Sequence, residues 1–482
     1  MIGISSYGVH IPRGRLPLAA IMRGHAKDGG PERSVAGFDE DSVTMAVAAA
    51  ADCLEGFERD PVDAVFFAST TSPYGEKQAA AIVAKALDLR RDVLSVDFGG
   101  SLRAGTSALR SALDAVAAGS ARSVLVVAAD CRMAAPRSAA ERNLGDGAVA
   151  FLVGHEAPVA VVEHRHSIAD EMLDVWRPDG ERFLQTWEER FIVQHGYREN
   201  VLECAGELLR RAGTEAGELT RAALYGPDAR SHAAVARGLG LKPKQVEDPL
   251  FGRLGNCGAA FAPMLLVAAL DAVEPASLVL LAAYGDGAEA MLLRTTGALP
   301  ALAARGSVGR GLERRHCVPS YDAYLGARNL APGGFDRSAG AGIAATVHYR
   351  DRDADIGFRG AQCRRCGQLH FPAQRVCYQC AAKDDFEPAR LAGRGGRVMS
   401  YTFDYFFPTP EPPLVATMIE IDGGCRVWMQ MADVSPDELR CDLPVEFVFR
   451  KIHETGGKPN YFWKCTPVRT GGGHVAGASE EE

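Results

Sequence analysis

Three features of this 482-residue chain predict an α/β fold built on a duplicated unit, with a zinc ribbon and a small β-barrel behind it. Strand-like apolar runs alternate with Ala-rich runs of helical period through the front part, the pattern of layered α/β structure. The stretch "GDGAVAFLV" at Gly145 to Val153 returns as "GDGAEAMLL" at Gly285 to Leu293, and such an echo marks one structural unit used twice. Towards the back, "CRRCGQLHFPAQRVCYQC" holds two Cys-x-x-Cys pairs, and short alternating strands follow it.

Taken in order, "DSVTMAVAAAADCLEG" has helical spacing, Asp41 and Ser42 as candidate caps and Gly56 as its end. "VDAVFFAST" reads as a buried strand and "QAAAIVAKALDL" as the next helix. "LSVDFGG" is a strand entering a turn, "RAGTSALRSALDAVAAG" a helix stopped by Gly119, and "SVLVVAAD" another strand. The second copy of the echo has its own helical run, "GNCGAAFAPMLLVAALDAV", and its own small-residue strand, "ASLVLLAAY".

Composition changes after "LAPGGFDRSAGAGIAATVHYRDRDADIGFRG", a Gly/Asp/Arg-rich linker with a short helical or extended element. Cys363, Cys366, Cys377 and Cys380 have the spacing of two knuckles that close a tetrahedral all-cysteine site. With no ligand position left open, a zinc ion there is structural, and His370 is a spectator. "GRVMSYTFDYFF", "PLVATMIEIDGG", "CRVWMQMAD", "LPVEFVFRKI" and "YFWKCTPV" then supply five short strands separated by turn residues, enough for a closed barrel of the OB type. The tail "TGGGHVAGASEEE" is low-complexity and is expected to be disordered.

Hydrophobic residues make up 47% and charged residues 24% of the chain, as in soluble globular proteins. A net charge of -8 argues against a general nucleic-acid binder. The longest apolar stretches are of strand length, too short for a membrane span. The first residues lack the charged and apolar regions of a signal peptide. Scattered cysteines (Cys53, Cys131, Cys204, Cys257, Cys317) suit a reducing compartment, and the expectation is a cytoplasmic protein.

"DFGGSLRAGTSAL", "GNCGAAFAP" and "YGDG", in this order, resemble the thiolase superfamily. "EDSVTMAVAAA", "SPYGEKQAAAIVAKAL" and "VPSYDAYLGARN" resemble its 3-hydroxy-3-methylglutaryl-CoA synthase group, in the short archaeal form. The likeness covers about residues 1 to 335. It implies a five-layered α/β/α/β/α fold, a homodimer, and carbon–carbon chemistry on coenzyme A thioesters. Ribbon and barrel resemble the zinc-ribbon/OB-fold proteins that accompany thiolase-like enzymes, which implies a role in forming a coenzyme A channel and holding the assembly together. The expected organisation is a thiolase-like N-terminal half (1–155) and C-terminal half (156–335), a linker (336–360), a zinc ribbon (361–384), an OB-fold (385–470) and the tail (471–482).

Matched to the family motifs, the catalytic positions have changed. Leu102 stands where the resemblance places the nucleophilic Cys, Tyr225 where it places the His, and Thr70 where it places the acid/base Glu; Asn256 alone keeps its family type. Leucine cannot be acylated, so an acyl-cysteine mechanism would need a relocated nucleophile, with Cys257 beside Asn256 better placed than Cys131. Cysteine-lacking members that cleave β-hydroxyacyl-CoA thioesters are similar in carrying tyrosines, here Tyr225 and Tyr284. Retro-aldol cleavage needs an acid, a base and an oxyanion hole and no covalent intermediate. The leading expectation is therefore an acyl-CoA aldolase/lyase, or the reverse condensation, with Tyr225, Asn256 and Tyr284 as its groups and Tyr225 at the β-hydroxyl. The alternatives are a synthase-type condensing transferase and a non-catalytic scaffold for a second thiolase-like subunit. Neither nucleic acid nor membrane is an expected partner.

Overall fold

The computed structural model describes residues 1–24, 29–331, 342–455 and 458–469. The expected tail at 471–482 and linker residues 336–341 lie outside them. The front part runs β1 (Gly3–His10), α1 (Ser42–Cys53), β2 (Val62–Ala68), α2 (Ala80–Ala86), β3 (Leu94–Phe98), α3 (Ala104–Ala117), β4 (Ser123–Asp130) and β5 (Gly147–Gly154). It then continues with β6 (Ala160–Ala169), α4 (Glu199–Ala212), β7 (Arg221–Leu224), α5 (Ala229–Gly238), α6 (Phe261–Asp271), β8 (Leu278–Tyr284) and β9 (Gly287–Thr295).

Strand order shows the duplication. The first half-sheet is ordered β3-β2-β4-β5-β1, parallel across its first three strands and antiparallel after them. The second is ordered β7-β8-β9-β6 with the same sequence of directions. Its missing outer strand survives as one parallel bridge, Ala222 to Val246. Each half is thus β-α-β-α-β-α-β-β, and the echoed "GDGA" segments open the two last strands. Among the described residues, the pair Ile4 with Ala160 joins the two half-sheets, and a parallel bridge from Leu144 to Asn256 links the halves again.

Side chains alternate between two cores because a strand's side chains point to opposite faces. Ala64, Phe66, Ala68, Val124 and Val126 face the core that holds α3 and α6, whereas Val65, Phe67, Leu125 and Val127 face α1 and α2. The central helices approach closely: a Cβ on Gly105 would lie 2.3 Å from Ala259 O and 3.1 Å from Pro263 Cγ. With α4 on the outer face of β6 and β9, the five layers are complete. Asp41 caps α1 by accepting from the Val43 and Thr44 amides, and Thr44 Oγ1 accepts from the Asp41 amide. The helix ends at Cys53, and Gly56 (φ +79°) lies in the turn beyond it.

Behind α7 (Ala345–Asp355), strand Arg359–Cys363 pairs with Leu369–His370 and Phe386–Arg390 to form the ribbon. The barrel is closed by β10 (Gly396–Asp404), β11 (Leu414–Ile421), β12 (Cys425–Met431), β13 (Pro444–Thr455) and β14 (Lys458–Pro467), in the order β10-β11-β12-β14-β13. Ribbon and barrel share a continuous apolar core with the outer face of the front part, through Phe358, Phe447 and Trp463. Buried charges cross the same seam. Arg450 faces Glu40 at 2.9 Å and Asp433 at 2.8 Å, Lys464 donates to Asp39 at 2.8 Å, and Tyr461 donates to the capping Asp41 at 2.8 Å. Arg450 holds the Glu40 carboxyl well below the usual range against the opposing effect of burial.

Candidate active site and metal centre

Each half ends its third strand position with a turn and a central helix, and these two turns carry Leu102 and Asn256. A third loop, after β8, presses on the first: a Cβ on Gly285 (φ +151°) would lie 2.9 Å from Leu102 N and 2.7 Å from Ser101 Oγ. Tyr284 ends β8. Tyr225 ends the neighbouring parallel strand, its amide donating to Ala282 O at 2.8 Å. Parallel neighbours end together, so the two rings lie 6.0 Å apart. Leu102 is part-buried and packs on the same core.

Tyr197, which the sequence reading did not single out, packs edge-on against both rings and donates to Tyr225 O at 2.6 Å. The Tyr284 hydroxyl donates to Asp174 Oδ2 at 2.6 Å, and burial and that carboxylate together raise its pKa far above the phenol range. Burial raises Tyr225 as well, opposed by the nearby Arg132 charge and by the polar Asn256 side chain. The two hydroxyls therefore differ in polarity. The hydrogen of Tyr284 is committed to Asp174, while that of Tyr225 is bound to no carboxylate among the described residues.

Asn256 is engaged on every side. Its Nδ2 donates to Gly226 O at 3.1 Å and its Oδ1 accepts from the Gly258 amide at 2.9 Å. Holding an incoming oxygen would therefore require it to exchange one of these bonds. Thr70 is a structural donor: its amide and hydroxyl, with Ser69, Thr71 and the Ala259 amide, all reach Asp130 within 2.7–2.9 Å. Asp130, fully buried at the end of β4, ties the Thr70 loop to the Asn256 loop. Its signal in the sequence was a lone carboxylate closing an otherwise apolar strand.

Cys257 is fully buried, and burial followed by the charge of Asp130 drives its thiol well above the usual cysteine range. Cys131 is pushed up to about 12, chiefly by desolvation. Both shifts favour the unreactive thiol, and nucleophilic cysteines need the opposite.

In the ribbon, the Sγ atoms of Cys363, Cys366, Cys377 and Cys380 all lie within 4.8 Å of one another, with two pairs at 3.6 Å. Four sulfurs at 2.3 Å around a tetrahedral zinc stand about 3.8 Å apart, so the set has the right size. His370 is buried and edge-on to Tyr378 and Phe386, and its Nε2 meets no hydrogen-bond partner among the described residues, as suits a packing neighbour of the cluster and not a ligand.

Comparison with known proteins follows the same division. A hydroxymethylglutaryl-CoA synthase of Archaeoglobus fulgidus is 31% identical over 341 residues, covering 67% of this chain and 98% of that protein. The chain belongs to the hydroxymethylglutaryl-CoA synthase family. A relative from Pyrococcus horikoshii is 30% identical over 294 residues, 60% of this chain and 84% of its own. Among solved structures, MvaS in complex with 3-hydroxy-3-methylglutaryl coenzyme A superposes with a TM-score of 0.60 at 21% identity, over 70% of this chain and 95% of that one. The 3-oxoacyl-[acyl-carrier-protein] synthase III of Aquifex aeolicus gives 0.56 at 22%, over 61% and 100%. These likenesses show the thiolase-type fold. The remaining part matches two family models, the rubredoxin-like zinc ribbon domain of ChsH2 at residues 350–387 and its C-terminal OB-fold domain at 389–450. The fused architecture expected from the sequence is the one found.

Proposed function

We propose that this protein makes or breaks a carbon–carbon bond of a coenzyme A thioester without a cysteine-bound intermediate, as an aldol-type enzyme acting on a β-hydroxyacyl-CoA. The observation that carries this reading is the convergence of Tyr225, Tyr284 and Asn256 beside Leu102, on a family fold, with the nearby thiols held protonated. The family's fold and the solved complex with a coenzyme A thioester support the substrate class.

The commitment of the Tyr284 hydrogen to Asp174 supports a division of roles. Tyr284 offers its lone pairs, backed by Asp174, so it takes the β-hydroxyl proton as its own proton passes to that carboxylate. The Cα–Cβ electron pair then moves into the thioester enolate and the β-carbon leaves as a carbonyl. Tyr225 gives the proton that the enolate carbon requires, and Asn256 steadies the thioester oxygen by yielding one of its present bonds. In this reading Tyr225 serves the enolate carbon rather than the β-hydroxyl, and Leu102 takes no chemical part. The ribbon cysteines would hold a zinc ion that supplies structure. The cavity of about 400 Å³ between the front part and the barrel is lined by Asp39, Glu40, Glu411 and Asp433 beside Arg13 and Lys464. That wall suits no polyphosphate, so bracing the front part is the role proposed for the barrel.

The test is conversion of a β-hydroxyacyl-CoA, followed by chromatography of the thioesters. Wild type should release a shorter acyl-CoA and a carbonyl compound. Tyr225→Phe should lower turnover roughly a hundredfold or more, the scale of a lost general acid–base group. Leu102→Ala should be far milder. Full activity of Tyr225→Phe would overturn the assignment. The second reading, a synthase-type transferase, is favoured by family membership, and it requires an acylated cysteine.

A further inference from the structure

Two residues beyond Asp130, the chain places a guanidinium where nothing answers it. Arg132 is 9% exposed, and among the described residues it has neither an ion-pair nor a hydrogen-bond partner. Its stem crosses the turn after Asn256: a Cβ on Gly258 (φ +60°) would lie 2.8 Å from Arg132 Cδ and 2.2 Å from Asp130 Oδ2, so the turn admits both only because residue 258 is glycine. Its charge is near enough to pull on the Tyr225 phenol. Neighbouring carboxylates are occupied elsewhere. Asp130 accepts from five donors, Asp174 from Tyr284 and the Val175 amide, and Asp146 faces Arg328 at 3.1 Å and the Ala36 amide at 2.7 Å.

A guanidinium whose stem is enclosed while its nitrogens keep only a narrow opening to solvent, with no carboxylate bound to it, is open to an occupant that brings the opposite charge. Resting on the acyl-CoA reading above, we infer that Arg132 is a specificity-determining residue that receives a carboxylate carried by the acyl group of the substrate. The guanidinium fork matches a carboxylate in two parallel hydrogen bonds. A transient enolate oxygen alone would leave the charge unanswered in the resting complex, whereas a substrate carboxylate answers it from the moment of binding.

The experiment measures dissociation constants of two five-carbon thioesters, glutaryl-CoA and pentanoyl-CoA, with the full chain by calorimetry. Wild type should prefer glutaryl-CoA by about tenfold or more, the scale of one charge-assisted contact. Arg132→Gln should abolish that preference and change pentanoyl-CoA binding much less. Arg132→Lys, which keeps the charge and loses the fork, should retain part of it and also decides the matter if the Gln variant does not fold. Equal binding of both thioesters by wild type, or a preference that survives in Arg132→Gln, overturns this inference and leaves the acyl-CoA reading standing. Failure of wild type to bind either thioester overturns both.

Discussion

At the scale of single residues, environment more than residue type decides what each group can do. Two tyrosines 6.0 Å apart differ because only Tyr284 gives its hydrogen to a carboxylate, Asp174, and two cysteines near the site are disarmed by burial. His232 shows the same principle as a stability term. It is buried on α5 beneath Gly226, its Nε2 meets no partner among the described residues, and burial lowers its pKa to about 4. An unfolded histidine titrates near ~6.5, so between pH 6.5 and 4 the unfolded chain binds a proton that the folded chain refuses. Stability from this residue is therefore fully present above pH 6.5 and is lost as pH falls towards 4, by up to about 3 kcal/mol. Because Asp271, raised to about 6 by burial, acts in the opposite direction, the quantity to measure is a difference. Denaturant unfolding of wild type minus that of His232→Gln should rise with pH across this window and be flat above it; a flat difference throughout would contradict the account.

At the scale of elements, each turn of chain that reads clearly in the sequence does so through local physics. The capped helix at Ser42–Cys53, the strand "SVLVVAAD" and the five barrel strands follow from period, caps and turn residues. The echo of "GDGA" was legible because it opens the same strand in both halves. What stayed hidden depends on contacts between distant segments: the vestigial strand reduced to Val246, the Asp130 hub, the Tyr284–Asp174 pair over 110 positions of sequence and the unpaired Arg132. The candidate tyrosines were found through resemblance, while their polarity required the fold. The ribbon was legible from cysteine spacing alone, and its four sulfurs converge. Purified protein should contain about one zinc per chain, and Cys366→Ser should lose it and unfold the ribbon, because metal binding supplies much of such a module's folding energy. Metal-free protein whose ribbon amides stay protected from exchange would contradict this.

At the scale of the whole molecule, the front part and the barrel behave as one body, joined by a shared apolar core and by buried charge. Arg450, fully enclosed between Glu40, Asp39 and Asp433, is the centre of that seam. Arg450→Met leaves those carboxylates facing one another without their cation, a change of the sort that costs roughly 3–5 kcal/mol. Calorimetry should then show the barrel melting ahead of the front part, in place of a single transition in wild type; an unchanged melting profile would mean that the apolar contacts alone join the two. The homodimer and cytoplasmic location expected from the sequence remain proposals, the first open to light scattering against the 51.4 kDa chain mass. The central claim is that a hydroxymethylglutaryl-CoA synthase relative works here on an acyl-CoA with no acyl-enzyme. The most direct measurement is intact-protein mass after incubation with acetyl-CoA and rapid acid quench: the chain should keep its unmodified mass, and an added acetyl group mapped to Cys257, Cys131 or any other cysteine would contradict the account.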